Sequence, residues 1–251
     1  MKIISVSSLK GGVGKSSCVV SVAGVLAERS YSVLVIDLDP SASASFWLKT
    51  PSNELNIIDV LNGTRKIAGI VQITSIPNLS VIPSGTLLSK LEVKVVNTTN
   101  ITLLKEQLDT IKKMYEYVLI DCPPGRNIFS KLSLVASDVV IVPTPATAMS
   151  LISIPVLLNE INKIKTVLNE KLEICLFCSR YDGRTRHSSD ILEQLRKRYP
   201  HILLQTVIRE SVRLQEGLAF KLPITLFAPL SRPAIDFNAA TTEICNKYKE
   251  L

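Results

Sequence analysis

The chain has 251 residues, of which 46% are hydrophobic and 20% are charged, and its formal net charge is +7 with a pI near 9.2. A mean hydropathy of +0.28 argues against a disordered chain. The length suits one α/β domain with a sizeable core, although length alone would permit two small ones, and we expect a single domain over 1–251. The positive charge favours an anionic partner. Charge alone leaves open whether this is nucleic acid, an acidic protein or an anionic membrane.

We expect no secretory signal, because Met1 and Lys2 lead directly into an apolar segment. The five cysteines are scattered in apolar surroundings and do not form a disulfide framework. Cys175 and Cys178 have CxxC spacing but lie inside a predicted strand. We interpret them as packing residues, with metal binding as the alternative, and we expect a cytoplasmic protein.

A glycine-rich stretch separates the first predicted strand, Ile3 to Val6, from the first predicted helix, Cys18 to Leu26. Glycines let successive N–H groups approach a phosphate chain, and the helix N-terminus adds the positive end of its dipole. Lys15 is predicted to neutralise the β- and γ-phosphates, and the Ser16 hydroxyl to ligate Mg²⁺. A chance glycine-rich turn is the alternative, but the GxGK[ST] spacing and both flanking elements favour a nucleotide site. The candidate nucleotide-binding residues are Lys10, Gly11, Gly12, Val13, Gly14, Lys15, Ser16 and Ser17.

Acidic residues follow two more predicted strands. The strand from Ser32 to Ile36 runs into Asp37-Leu38-Asp39-Pro40, and the strand from Tyr117 to Ile120 runs into Asp121-Cys122-Pro123-Pro124-Gly125. Open α/β sheets place ligands at the carboxyl ends of parallel strands. Asp37 and Asp121 are therefore predicted to hold the water shell of Mg²⁺, and Asp39 to orient the attacking water. An Asp at such a position is also an ordinary cap or turn residue.

The remaining segments alternate between strand and helix patterns. Ser41 to Ser45 is small and polar, as in a mobile loop that responds to nucleotide. Val139 to Leu158 is uncharged over a membrane-spanning length, but prolines interrupt it, which favours a strand, a loop and a helix. The whole pattern predicts an α/β fold, with a doubly wound, mostly parallel sheet and helices on both faces. The other predicted strands are Leu79–Ile82, Val139–Val142, Ile174–Cys178 and Thr206–Ile208, and the other predicted helical segments are Leu55–Leu61, Leu87–Val96, Ile101–Met114, Leu151–Leu168, Ser188–Tyr199 and Pro233–Tyr248.

The string KGGVGKS, Lys10 to Ser16, resembles the deviant Walker A loop of the ParA/MinD family of partitioning and positioning ATPases. The string LIDCPPG, Leu119 to Gly125, is also similar to the family's, and Asp39 matches the Asp needed for hydrolysis, although Ser41 replaces the usual Gln. The resemblance implies a P-loop NTPase fold, ATP and Mg²⁺ as cofactors, and ATP hydrolysis. It also implies that Lys10 reaches the other subunit's nucleotide in an ATP-dependent homodimer.

Two basic strings extend the resemblance. YDGRT and VRLQE look like family segments whose arginines bind nonspecific DNA in the ATP-bound dimer, which implies Arg184 and Arg213 as DNA contacts. Arg209 stands where relatives carry a Pro-Arg-Asn string near the adenine, and this implies a place in the nucleotide pocket. Within the family, the chain most resembles the short ParA type, which implies a cytoplasmic, nucleoid-associated protein. A ParB-like or cargo adaptor protein is expected to stimulate its hydrolysis.

Two other functions use related folds. A MinD-like membrane-associated ATPase would end in a strongly basic amphipathic helix, which Pro233 to Tyr248 does not resemble, so no membrane partner is expected. A P-loop enzyme or metal-cluster carrier is the second alternative. A cluster carrier would need exposed paired cysteines.

Overall fold

A computed structural model describes residues 1–48, 55–85, 88 and 100–249. The strands are β1 (Lys2–Val6), β2 (Val33–Asp37), β3 (Gln72–Ile73), β4 (Leu79–Ile82), β5 (Tyr117–Asp121), β6 (Val139–Pro145), β7 (Glu173–Tyr181) and β8 (Leu203–Arg209). The helices are α1 (Lys15–Glu28), α2 (Ser43–Trp47), α3 (Ile57–Leu61), α4 (Leu103–Asp109), α5 (Ile128–Ala136), α6 (Ala148–Leu168), α7 (Arg186–Arg198), α8 (Arg213–Phe220), α9 (Ile224–Phe227) and α10 (Arg232–Lys247), with a 3-10 helix at Ile67–Ile70.

These strands form one eight-stranded sheet in the order β3-β4-β2-β5-β1-β6-β7-β8. All neighbouring pairs are parallel except β3 with β4. The chain leaves β1 towards β2 on one side and later crosses from β5 over β1 to β6, so the winding reverses beside β1. Open α/β sheets bind ligands outside the carboxyl ends of the strands at such a reversal. The predicted doubly wound, mostly parallel sheet is confirmed.

Both faces of the sheet are covered, as the near-continuous apolar strands require. Ile4 and Val6 face a core shared with α1, α9 and α10. Ile3 faces the opposite core, which contains residues of α3, α4 and α5, and Val140 faces a third cluster with α6 and α7. Each fully buried aliphatic side chain of this kind contributes about 1.5–3 kcal/mol. The predicted helices on both faces are confirmed.

Helix α1 is buried along most of its length, from Lys15 to Ala27. A Cβ added to Gly24 would lie 2.6 Å from Cβ of Pro223, so the absence of a side chain allows α1 to approach the segment before α9. This packing fixes the helix whose first turn follows the glycine-rich stretch.

Three predicted elements differ from the structure. The prediction of a loop over Ser41 to Ser45 is wrong in part, because α2 begins at Ser43. The helix expected over Ile101 to Met114 is shorter, from Leu103 to Asp109, and is followed by turns. Pro155 lies inside α6 and does not end it, and α6 begins at Ala148, before the predicted Leu151. The segment Leu87–Val96 lies outside the described residues apart from Leu88.

The uncharged stretch Val139 to Leu158 is divided between β6, a short connection and the first half of α6, as predicted. Within the described ranges, none of the helices has the length and apolarity of a membrane span. Cys175 and Cys178 are fully buried in β7 and belong to clusters on opposite faces of the sheet. The two thiols therefore cannot chelate one metal ion, and they pack as expected.

Candidate nucleotide-binding site

The glycine-rich loop, defined here as residues 7–14, connects β1 to α1 at the reversal of the sheet. Gly12 and Gly14 have φ values of 73° and 93°, a left-handed conformation that strains any residue with a Cβ. Gly11 does not share this conformation, and a Cβ there would meet nothing within 4 Å. Gly14 precedes α1 without a side-chain cap. The amino-terminal N–H groups of α1 are thus available to bind an anion.

A cavity of about 450 Å³, here called the loop cavity, lies against this loop. It brings together residues that are far apart in the chain: the loop, the segment after β2, α2, the turn after β5, and α8. Lys15 is buried and is among its lining residues. The lining residues are Gly11, Gly12, Gly14, Lys15, Ser16, Ser17, Asp39, Ser41, Ser43, Trp47, Pro124 and Leu218.

Asp37 and Asp121 end the neighbouring strands β2 and β5, where they are paired in register and completely buried. Asp37 accepts hydrogen bonds from N and Oγ of Ser45 at 2.8 and 2.7 Å and from N of Asp39 at 3.0 Å. Burial raises the pKa of Asp37 to about 6, although these hydrogen bonds oppose the rise. Asp37 therefore organises the start of α2, which explains why this segment is helical.

Asp121 is the least satisfied of these acids, because neither of its buried carboxylate oxygens has a hydrogen-bond partner among the described residues. Burial, and after it the neighbouring Asp37, raises the pKa of Asp121 well above its usual value. The nearby Ser16 hydroxyl and Lys15 ammonium oppose the rise. A buried acid of this kind requires a compensating partner, and a divalent cation with its water shell fits.

The described residues contain no group of three or more His, Cys, Asp or Glu side chains that could hold a metal ion. A cation bound between Ser16 and the two aspartates would therefore keep most of its water ligands. Mg²⁺ behaves in this way, and it takes its remaining ligands from substrate phosphates.

Asp39 lines the loop cavity, and its backbone N–H donates to Asp37. Its Oδ1 accepts a hydrogen bond from N of Ser41 at 2.9 Å, and its carbonyl accepts one from Oγ of Ser84 at 2.7 Å. The backbone N of Ser84 in turn donates to Oγ of Ser45. Sequence reasoning did not single out Ser45 or Ser84, since isolated serines carry no pattern.

The turn after β5 contacts the glycine-rich loop directly. Gly125 has a φ of 89°, and its N–H donates to the carbonyl of Ser8 at 3.0 Å. The segment after Asp121 is therefore coupled to the loop through its backbone.

A second cavity of about 180 Å³, here called the β7–β8 cavity, shares Gly12, Gly14 and Ser17 with the loop cavity. Its walls are apolar at Phe177, Ile208, Leu214 and Phe237, and its polar residues include Arg180, Arg209, Glu210 and Gln215. An apolar group linked to phosphates suits a cavity with such a lining.

Arg209, for which the resemblance implied a place in the nucleotide pocket, lies in the wall of the β7–β8 cavity. Its guanidinium is held by Asp236 of α10, with Nε 2.9 Å from Oδ2. This partner, 27 residues further along the chain, was not apparent from the sequence.

Lys10 is exposed and is not among the residues that line the loop cavity of its own chain. It lines a separate cavity of about 60 Å³ against α6, together with Met149 and Ile154. Its carbonyl accepts a hydrogen bond from Oγ of Ser8 at 2.7 Å.

Arg184 and Arg213 both lie on the surface, in the connection after β7 and at the start of α8. Arg184 forms an ion pair with Asp182 at 2.9 Å, and Arg213 forms one with Glu216 at 2.9 Å. Neither arginine lines the loop cavity or the β7–β8 cavity.

Comparison with known proteins places this geometry in a family. The family model described as an AAA domain (AAA_31) matches residues 1–174. The sporulation initiation inhibitor protein Soj of Bacillus subtilis is 32% identical, over 93% of this chain and 94% of Soj. The chromosome partitioning protein ParA of Caulobacter vibrioides is 30% identical, over 90% of this chain and 87% of ParA.

A solved structure shows the same fold. Cobyrinic acid a,c-diamide synthase from Mycobacterium smegmatis, with bound ADP and magnesium, superposes with a TM-score of 0.86 and 24% identity, over 100% of this chain and 96% of that one. Its similarity establishes the fold, and the similarity to Soj, to ParA and to the family model establishes the family. The chain belongs to the ParA/MinD family of P-loop ATPases.

Proposed function

We propose that this protein is a Mg²⁺-dependent ATPase of ParA type, built as one domain over 1–251. ATP drives formation of a sandwich homodimer, and the dimer binds double-stranded DNA nonspecifically. Hydrolysis, stimulated by a ParB-like or cargo adaptor protein, releases it. The cycle runs in the cytoplasm over the nucleoid and segregates DNA or positions a cargo.

The observation that carries the ATPase proposal is the buried carboxylate of Asp121, which accepts no hydrogen bond among the described residues and lies next to Asp37 and near Lys15 and Ser16 at the start of α1. Ser16, Asp37 and Asp121 would hold Mg²⁺, which when bound neutralises phosphate charge. Lys15 neutralises the β- and γ-phosphates, and the loop N–H groups bind the phosphate oxygens. The solved relative with ADP and magnesium supports both cofactors.

Asp39 is the residue proposed to orient the attacking water. It lines the loop cavity, and its backbone is held from two sides by Asp37 and Ser84. Because its backbone is fixed, the Asp39 carboxylate can direct a water without large rearrangement. Positioning of this kind is a main contribution of the protein to phosphoryl transfer.

The position of Lys10 supports the homodimer. Its side chain is exposed and lies outside the loop cavity of its own chain, although it is only five residues from Lys15. Contact between Lys10 and the nucleotide bound to the other subunit explains a second lysine at this point better than contact with the nucleotide of the same chain.

The net charge of +7 and the exposed arginines support DNA as the partner. Arg184 and Arg213 are each paired with a nearby carboxylate, so each must exchange Asp182 or Glu216 for a DNA phosphate. Exposed ion pairs are weak, so this exchange costs little and the binding is sensitive to salt.

The test is binding to scrambled-sequence duplex DNA with ATP, ADP or no nucleotide, at low and moderate salt. We expect binding only with ATP, weakening as salt rises. If the protein binds and hydrolyses ATP but does not bind DNA in any nucleotide state, the DNA part of the proposal is wrong. Pelleting with anionic liposomes then tests the MinD-like alternative.

A further inference from the structure

The carboxyl end of β7 donates hydrogen bonds to two carbonyl groups of the glycine-rich loop. Oγ of Ser179 lies 3.2 Å from the carbonyl O of Val13, and Nη1 of Arg180 lies 3.3 Å from the carbonyl O of Gly12. A loop that turns its N–H groups towards a phosphate leaves its carbonyl groups in need of other donors. The sequence pattern of β7 did not predict this contact.

The backbone conformation of Arg180 directs its side chain towards this contact. The pairing of β7 with β8 shifts between Cys178, opposite Val207, and Tyr181, opposite Arg209, so β7 holds one extra residue. Arg180 lies in this bulge with a φ of 51°, a left-handed conformation that costs a non-glycine residue about 1–2 kcal/mol. Bulges next to active sites redirect a side chain, and here the redirected side chain reaches the loop.

Glu210 orients the guanidinium from the other side. Nε and Nη2 of Arg180 lie 3.1 and 2.8 Å from Oε1 of Glu210, whose own N–H donates to the carbonyl of Tyr181 at 3.0 Å. Both side chains are about half exposed, at 56% and 52%. An ion pair this exposed adds little to the stability of the fold, so it does not offset the conformational cost of Arg180 in the bulge.

We infer that Arg180 is a positioning residue for nucleotide binding, oriented by Glu210. By holding the carbonyl of Gly12, it keeps the phosphate-binding N–H groups of the loop in place. This inference rests on the proposed binding of ATP. Loss of one such hydrogen bond corresponds to roughly a 3- to 10-fold rise in the dissociation constant.

The inference predicts where on the ligand the effect appears. Arg180 also lines the β7–β8 cavity. If its role were to contact the base of the nucleotide there, its removal would weaken the binding only of a ligand that contains a base. A residue that positions the loop affects the phosphates, with or without a base. Inorganic tripolyphosphate with Mg²⁺ is therefore a suitable second probe beside ATP.

The experiment measures the dissociation constants of Mg²⁺-ATP and Mg²⁺-tripolyphosphate by calorimetry, together with Tm, for three variants. We expect Arg180→Ala to weaken both ligands by the same 3- to 10-fold factor with little change in Tm. Lys163→Ala is the matched control, because it removes a similarly exposed ion pair, with Glu160 of the same helix. We expect it to leave both affinities unchanged.

The double swap Arg180→Glu with Glu210→Arg separates positioning from a merely structural pair. It can restore the ion pair, but a carboxylate at position 180 cannot donate to the carbonyl of Gly12, so we expect both affinities to stay reduced. Unchanged affinities in Arg180→Ala, an effect on ATP alone, or full rescue by the swap would each overturn the inference. If the wild type binds neither ligand, the proposed function fails and the inference with it.

Discussion

Asp37 and Asp121 lie opposite each other at the carboxyl ends of β2 and β5, both fully buried; Asp37 accepts hydrogen bonds from Ser45 and Asp39, whereas the Asp121 carboxylate accepts none among the described residues, although the Ser16 hydroxyl is nearby. Two adjacent buried carboxylates repel each other and lose their hydration. The pair is therefore costly in the absence of a cation and well suited to binding one.

This cost predicts a pH dependence of stability in protein free of nucleotide and Mg²⁺. The pKa of Asp37 is about 6 in the folded state, against about 4 when unfolded, so the folded state binds its proton more tightly. The free energy that Asp37 contributes to folding is present below pH 4 and is lost as the pH rises through about 6.

The measurement is urea unfolding of the wild type and Asp37→Asn at several pH values between 4 and 8. We expect the stability of Asp37→Asn relative to the wild type to increase with pH across this range. The same substitution at exposed Asp190 controls for the loss of a surface charge. A relative stability that falls with rising pH would contradict the prediction.

Trp47 is the single tryptophan of the chain and lines the loop cavity. Its Nε1 donates to the carbonyl of Leu222 at 2.8 Å, so its environment depends on both α2 and the segment before α9. We expect Mg²⁺-ATP to change its fluorescence emission in the wild type. Lys15→Ala, which loses the charge that binds the β- and γ-phosphates, should show no change at the same ATP concentration. An equal change in that variant would place the bound nucleotide elsewhere.

Asp39→Ala should hydrolyse ATP at least 100-fold more slowly, because general-base and water-positioning groups contribute about 10²–10⁴-fold. ATP binding should persist, since Asp39 is not a proposed phosphate or metal ligand. The variant is therefore expected to accumulate as an ATP-bound dimer. Phosphate release and sizing chromatography with ATP test this, and a variant that stays monomeric with ATP would refute the trapped dimer.

Arg213→Glu should lose nonspecific DNA binding and keep ATP-dependent dimerisation, because Arg213 lies outside both cavities. Lys112→Glu makes the same charge change in the turn between α4 and β5, at the amino end of the parallel strands, and should weaken DNA binding much less. Filter binding at two salt concentrations compares the variants. Equal losses would mean that net charge, and not Arg213, is responsible.

Gly24→Ala should destabilise the protein by about 1–3 kcal/mol, because the new Cβ would lie 2.6 Å from Cβ of Pro223. Gly69→Ala is the matched control, since a Cβ there meets nothing within 4 Å. It should be neutral or stabilise the protein by up to about 1 kcal/mol. Denaturant unfolding distinguishes the two, and similar stabilities would show that α1 can move away from Pro223.

The sequence by itself determined the alternation of strands and helices, the position of the glycine-rich loop, and the acids at the ends of β2 and β5. These features depend on local patterns: apolar runs, the spacing of glycines before Lys15, and an Asp at a strand end. Local patterns also predicted the fold class, because alternating strands and helices favour a parallel sheet.

Only the tertiary structure decided which side chains meet. The register that pairs Asp37 with Asp121, the bulge that directs Arg180 to Gly12, and the hydrogen bond from Trp47 to Leu222 join segments that are 84, 168 and 175 residues apart. The helix at Ser43 likewise depends on the buried carboxylate of Asp37. Such contacts leave no local periodicity in the sequence, because they arise from the order of strands in the sheet and the packing of helices upon it.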